Sequence, residues 1–274
     1  MFRQRLVTAV VLGFAAVAGV LYLPTPLVAL LTTLMAMTAA WEWIHLPQVP
    51  PKKHLAWLYV VAIGGLVQVG WRVFDQFSEA VFVGAAIWTV LLGVVAVRKY
   101  QNSKQMVSPS LILGVVVIVP ALATVPVLHG QANFGPHLVL AICAVIWIGD
   151  IGAYGIGKRW GFRLLAPNIS PGKTVEGALG GGLLAVATGV VAITTITGPA
   201  VSLAWLVLAM VLVSAAAVLA DLLESMVKRA SGKKDSGQLL PGHGGLLDRI
   251  DSLLGAVPIF TALWFFWLNP ATLG

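Results

Sequence analysis

Residues 203–251 read LAWLVLAMVLVSAAAVLADLLESMVKRASGKKDSGQLLPGHGGLLDRID. From Leu203 to Ala220 there is no charged side chain, and a run of that length and apolarity matches what an α-helix needs to cross a bilayer core of about 30 Å. Charge begins at Asp221, and five of the ten acidic residues of the 274-residue chain fall between Asp221 and Asp251. Asp221, Glu224, Ser225 and Lys228 recur at offsets 0, 3, 4 and 7, which puts them on one helical face. A glycine-punctuated loop, Pro241-Gly242-His243-Gly244-Gly245, then leads into Asp248, Arg249 and Asp251. Carboxylates arriving from a helix and from a loop, with lysines and arginines beside them, suit a hard cation carrying phosphates. The competing reading is a solvated, charged loop at a membrane surface.

Outward from this stretch the whole chain has the same character. It is 59% hydrophobic and only 10% charged, against roughly 25% charged in soluble domains, so the expected fold class is an all-α polytopic integral membrane protein. Nine segments are long and apolar enough to span, near 6–23, 27–44, 55–69, 80–97, 111–128, 138–155, 178–196, 203–223 and 253–268. Arg3 and Arg5 before the first could also open a cleaved signal peptide, but the chain continues into more membrane helix and no exported domain. With the N-terminus in the cytoplasm and the C-terminus outside, sixteen of the seventeen basic residues face inward and only Arg72 faces out, as the positive-inside rule requires. The net charge of +7 is thereby explained without nucleic acid. Trp41, Trp43, Trp57, Trp71, Trp264 and Trp267 fall near span ends and are expected to form an aromatic belt. Residues 1–135 are expected to be a scaffold of about five spans, and 136–274 the catalytic region, with cytoplasmic loops at 156–177 and 224–252. The lone Cys143 excludes a disulfide framework and a cysteine metal site.

Two further motifs carry chemistry. Asp150 sits within the sixth span, about 18 Å from its start, where an ionised carboxylate costs roughly 2.5–3.5 kcal/mol and should face a water-filled cavity or a positive partner. The alternative is a buried ion pair that only fixes helix packing. The next loop reads LAPNISPGKTVEG over 165–177, a proline- and glycine-rich turn whose Ser170, Lys173 and Thr174 could hold phosphate. Pro167 stands where a P-loop has its leading glycine, so the Walker reading fails; Gly152, Gly155 and Gly157 likewise miss the dinucleotide spacing. Gly177, Ala178, Gly181 and Gly182 have the small-xxx-small spacing of close helix packing. His243 could act as a base or be an ordinary loop histidine, while His45, His54, His129 and His137 look interfacial.

Ser225-x-x-Lys228-Arg229, Lys234-Asp235-Ser236-Gly237 and Pro241-Gly242-His243-Gly244-Gly245-x-x-Asp248-Arg249-x-Asp251 together resemble the signature of the phosphatidate cytidylyltransferases, also called CDP-diacylglycerol synthases. Asp150-x-Gly152-Ala153-Tyr154 and Ser170-Pro171-Gly172-Lys173-Thr174 resemble that family's other shared blocks, in the same order. The resemblance covers about residues 147–258. It implies transfer of CMP from CTP to phosphatidic acid with Mg²⁺, with Asp221 and Asp248 as metal ligands and a second metal ion left open. Catalytic roles are expected for Asp221, Asp248, Lys228, Arg249, Asp150 and Asp251. Substrate contacts are expected from Ser170, Lys173, Thr174, Ser225, Arg229, Lys234 and His243. The resemblance further implies a bacterial inner-membrane enzyme with CTP, phosphatidic acid and the lipid bilayer as partners and a homodimer left open; the charge bias adds the expectation that the site faces the cytoplasm and that no nucleic acid is bound. A CTP-dependent lipid kinase of the dolichol type would need the same cation and lysines, and a transporter would also place carboxylates along a wet path.

Overall fold

The computed structural model describes residues 13–47, 51–98, 109–239 and 244–268. Its helices are α1 (Gly13–Tyr22), α2 (Thr25–Ile44), α3 (Lys53–Gln76), α4 (Ala80–Arg98), α5 (Leu111–His129), α6 (Gly135–Trp160), α7 (Val175–Thr197), α8 (Leu203–Ala230) and α9 (Leu247–Leu263), the last continuing as a π turn over Trp264–Leu268. Among the described residues eight helices, α2 to α9, are long and apolar enough to cross a membrane, and α1 is a shorter apolar helix. The remainder of the first expected span, with Arg3 and Arg5, lies outside the described residues. The chain is an integral membrane protein built of helices.

Hydropathy placed the spans well and their ends poorly. The third helix, expected over 55–69, runs for 24 residues from Lys53 to Gln76. Likewise α6 continues through Lys158 and Arg159 to Trp160, and α8 to Ala230, so the loops expected at 156–177 and 224–252 are both shorter than expected. Apolarity stops where the bilayer core stops, whereas helical hydrogen bonding continues. Basic residues in the last turn of α6 and of α8 suit the negative end of the helix dipole.

A second difference is a small antiparallel hairpin between α6 and α7, where a turn was expected: β1 (Leu164–Ala166) pairs with β2 (Ser170–Thr174). Its sequence has little strand propensity. The hairpin forms because Ala166 and Ile169, both without exposed surface, plug into the main hydrophobic core, a case of tertiary packing overriding propensity.

Glycines set the closest helix pair. On α7, a Cβ at Gly177 would lie 2.6 Å from the Ala153 carbonyl oxygen, and one at Gly181 would lie 2.7 Å from the Ala153 backbone nitrogen, so α6 and α7 touch backbone to backbone, as the small-residue spacing predicts. The core joins both halves of the sequence. Trp43, Ile63, Trp88 and Ile118 share one buried cluster with Leu222, Met226, Leu247 and Leu254, and α9 packs against α8, α5 and α4.

The expected belt is partly a core. Trp41 and Trp57 are exposed and stack on each other, but Trp43, Trp71 and Trp264 are buried, with Trp43 donating its indole N–H to the Ser110 carbonyl at 3.0 Å. Spacing along a helix puts a tryptophan near a span end without saying which neighbour it faces. His129 is also buried: its Nε2 lies 2.9 Å from the Val20 carbonyl and its Nδ1 3.0 Å from the Thr25 hydroxyl. It therefore ties α1 and α2 to α5 at one end of the bundle. The segments expected to face the cytoplasm meet at the other end, where Lys233 reaches the His45 carbonyl and Arg229 the Ile169 carbonyl.

Gly181→Val should lower the thermal unfolding midpoint in detergent by several degrees, since overpacking costs about 1–3 kcal/mol. Gly155→Ala, where an added Cβ meets nothing within 4 Å, should leave it unchanged; equal midpoints for the two variants would contradict backbone contact between α6 and α7.

Candidate active site

Lys173 and Lys228 organise the end of the bundle where the hairpin meets the loop after α8. The hairpin delivers Lys173 on β2 to α8, where its ammonium pairs with the Asp221 carboxylate. One turn on, Ser225 donates to the other Asp221 oxygen at 3.4 Å. A further turn along the same face, Lys228 pairs with Glu224 on its own helix and, at 2.6 Å, with Asp248 on α9. These last three side chains are at most 10% exposed. The face read from offsets 0, 3, 4 and 7 is thus a row of ion-paired groups turned inward.

Asp248 is held from several sides. It accepts from the Ser236 backbone N–H at 3.0 Å and the Gly245 N–H at 2.8 Å, in addition to Lys228. The preceding Gly244 adopts φ +82, and a Cβ there would lie 2.8 Å from an Asp248 oxygen, so a glycine is needed both for the left-handed turn and for the close approach. Asp251 lies one helical turn further on α9, accepts from the Ser252 N–H at 2.6 Å, and stands within electrostatic reach of Asp221, Lys173 and Lys228. Asp150 is exposed on a furrow between α6, α7 and α8, alongside Gly149, Ala153, Gly181, Gly182 and Ser214, and within reach of Asp221 and Lys173. Lys173 is the cation near enough to act on it electrostatically.

Other expected residues are placed differently. The Thr174 hydroxyl accepts from the Gly177 N–H at 3.1 Å and caps α7, the usual task of a threonine at that position. Arg229 spends its guanidinium on the carbonyls of Ile169 (3.2 Å) and Lys233 (2.9 Å), tying the hairpin to the loop after α8. Ser170 opens β2 and is half-buried, while Lys234 and Arg249 are exposed. His243 lies outside the described residues.

Two residues have no site role in the sequence analysis: Glu224, which it places on the helical face of Asp221, and Glu42. Glu224 shares the helical face with Asp221 and is 4% exposed, and its Oε1 lacks a hydrogen-bond partner. Glu42, near the end of α2 in the supposed scaffold, is 5% exposed and accepts from Ser236 Oγ, Leu246 N and Leu247 N. An acidic residue inside an apolar span was the available signal, in a segment that the sequence analysis treats only as scaffold.

The donor set fits a hard divalent cation. Asp150, Asp221, Glu224, Asp248 and Asp251 are five carboxylates gathered around two lysines, an excess of negative charge with a buried Glu224 oxygen unpartnered. Among the described residues no three acidic, histidine or cysteine side chains converge into a ready-made cage. That pattern suits Mg²⁺, which is commonly held by one or two carboxylates with substrate phosphates and water supplying the rest.

The chain resembles known proteins over nearly its full length. It is 36% identical over 293 residues to a phosphatidate cytidylyltransferase of Haemophilus influenzae, covering 98% of this chain and 100% of that one. Identity to a phosphatidate cytidylyltransferase of Pseudomonas aeruginosa is 39% over 267 residues, covering 96% and 97% of the two chains. A phosphatidate cytidylyltransferase of Bacillus subtilis is 43% identical over 126 residues, 46% of each chain. A family model described as the cytidylyltransferase family matches residues 3–267, so this chain, with its lysine–carboxylate site and its membrane-spanning helices, belongs to the cytidylyltransferase family.

Proposed function

We propose that this enzyme transfers CMP from CTP to phosphatidic acid, forming CDP-diacylglycerol and pyrophosphate, at the cytoplasmic face of a bacterial inner membrane. The observation that carries the reading is the pairing of Lys173 with Asp221 near the end of a membrane-spanning helix, in a chain similar over 96–98% of its length to proteins named for this activity. Phosphatidate presents its phosphate at headgroup depth, and the carboxylate–lysine row on α8 ends at the corresponding end of its span.

The reaction joins an oxygen of the lipid phosphate to the α-phosphorus of CTP, breaks the bond from that phosphorus to the β-phosphate bridge, and releases pyrophosphate. A phosphate monoester is already ionised near neutral pH, so no side chain need take its proton. Catalysis then consists of holding two polyanions in line and offsetting their repulsion. Asp221 and Asp248 are the proposed Mg²⁺ ligands, each now facing a lysine ammonium that marks a position favourable to positive charge. When bound, the cation would neutralise and polarise the nucleotide phosphates. Lys173 lies on the hairpin, placed to shift from Asp221 to a phosphate. Lys228 stays between α8 and α9, and Ser225 orients Asp221. The exposed Lys234 and Arg249 meet phosphate from the aqueous side. Asp150 and Asp251 keep the local potential negative enough to retain a divalent cation.

Purified protein with phosphatidic acid, Mg²⁺ and CTP should move α-phosphorus label into a chloroform-soluble product and release γ label as pyrophosphate. Chelator or Asp221→Asn should abolish both, the latter because an amide keeps the shape and removes the charge. Label reaching lipid from the γ position would establish a lipid kinase instead, and no transfer to any lipid phosphate would favour a transporter.

Sidedness is tested in intact cells carrying Cys143→Ser and a single introduced cysteine. An impermeant thiol reagent should label Ala132→Cys, exposed between α5 and α6, and spare Gln238→Cys, exposed after α8. The reverse pattern would overturn the cytoplasmic assignment.

A further inference from the structure

We propose that Glu42, on α2 and remote in sequence from every motif of the site, is a positioning residue for nucleotidyl transfer: it fixes the loop and helix start that hold Asp248. The proposal rests on the cation-assisted transfer of CMP proposed for this site.

Glu42 accepts from three donors, all in the loop after α8 or at the start of α9. Its Oε1 takes the Leu246 N–H at 2.9 Å, and its Oε2 takes the Leu247 N–H at 2.8 Å and the Ser236 hydroxyl at 2.9 Å. Leu246 and Leu247 open α9, where backbone N–H groups have no partner within the helix and a carboxylate is favoured by the dipole. The next N–H upstream, from Gly245, goes to Asp248. Two carboxylates therefore share three consecutive backbone donors. Ser236 joins them, since its hydroxyl donates to Glu42 and its backbone N–H to Asp248. Any shift of Glu42 moves both the start of α9 and the strand of loop that grips Asp248.

The fit is tight as well as polar. A Cβ at Gly237 would lie 2.6 Å from Glu42 Oε1, and one at Gly245 would collide with the same carboxylate. Glycines at 237 and 245 thus make room for Glu42, and not only for a turn. Lys233, bound to the His45 carbonyl at the end of α2, adds a second tie from this loop to the same helix end.

Glu42→Gln is the informative change. An amide presents one acceptor oxygen and one donor nitrogen, so it must set an N–H against at least one of the three donors. Loss of an outer partner of a metal-ligating carboxylate costs about 10- to 100-fold in affinity or activity. The variant should therefore raise the Mg²⁺ concentration for half-maximal activity at least about tenfold and lower kcat, with KM for CTP at saturating Mg²⁺ nearly unchanged. Ser236→Ala should act in the same direction more weakly, and adding it to Glu42→Gln should cost little more, because both cut one connection. Thr33→Val, which removes a hydroxyl accepting from Gln68 at 2.8 Å elsewhere on α2, should leave the Mg²⁺ dependence at the wild-type value.

Hydrogen exchange supplies a readout independent of turnover: amides 245–247 should exchange at least about tenfold faster in Glu42→Gln, without substrate. Wild-type exchange there together with wild-type Mg²⁺ dependence would overturn the proposal. So would an equal Mg²⁺ shift in Thr33→Val, which would make the effect one of general destabilisation. A wild-type protein that fails to make CDP-diacylglycerol would sink the proposed function instead, leaving the exchange result to decide the role of Glu42.

Discussion

An ammonium withdrawn from water between two carboxylates ties the end of α8 to the start of α9. Lys228 is 10% exposed, with Glu224 and Asp248 more buried still. Charges so placed lose several kcal/mol of hydration each, and the arrangement persists only because each meets an opposite charge or a backbone donor. That requirement fixes the neighbourhood. Asp248 must be met by the Ser236 and Gly245 N–H groups as well as Lys228, so the loop after α8 folds back over the start of α9. Glu42 then anchors that loop to α2, and Arg229 anchors the hairpin bearing Lys173. Four separate parts of the chain converge because the charges on α8 cannot be left alone.

This convergence explains how a membrane bundle can handle two polyanions. Negative charge exceeds positive among the side chains nearest Asp221, which favours a divalent cation, while exposed Lys234 and Arg249 lie toward water. The furrow that Asp150 lines runs between α6, α7 and α8 and is walled mainly by small and apolar side chains.

The spans and the catalytic stretch were legible because charge is rare in this chain and each charged side chain stands out. Asp221, Glu224, Ser225 and Lys228 could be put on one face by counting, and the structure turns that face inward. Glu42 could not be found in this way, since its partners are backbone groups about two hundred residues away and α2 is otherwise an ordinary apolar helix. The hairpin was hidden for a related reason: Ser170-Pro171-Gly172-Lys173-Thr174 becomes a strand only when Ile169 and Ala166 are buried. Thr174 was legible as a helix cap from its place before Val175, yet its neighbour Lys173 drew it into a phosphate-binding reading.

Thermal unfolding in detergent of Lys228→Met, alone and with Glu224→Gln, tests the dependence of the inner site on this buried pairing. Removing the ammonium alone leaves uncompensated buried carboxylate charge and should cost about 3–5 kcal/mol. Adding Glu224→Gln removes one of those charges and should recover a substantial part of the loss. A Lys228→Met protein as stable as the wild type, or a double variant less stable than the single one, would contradict the account.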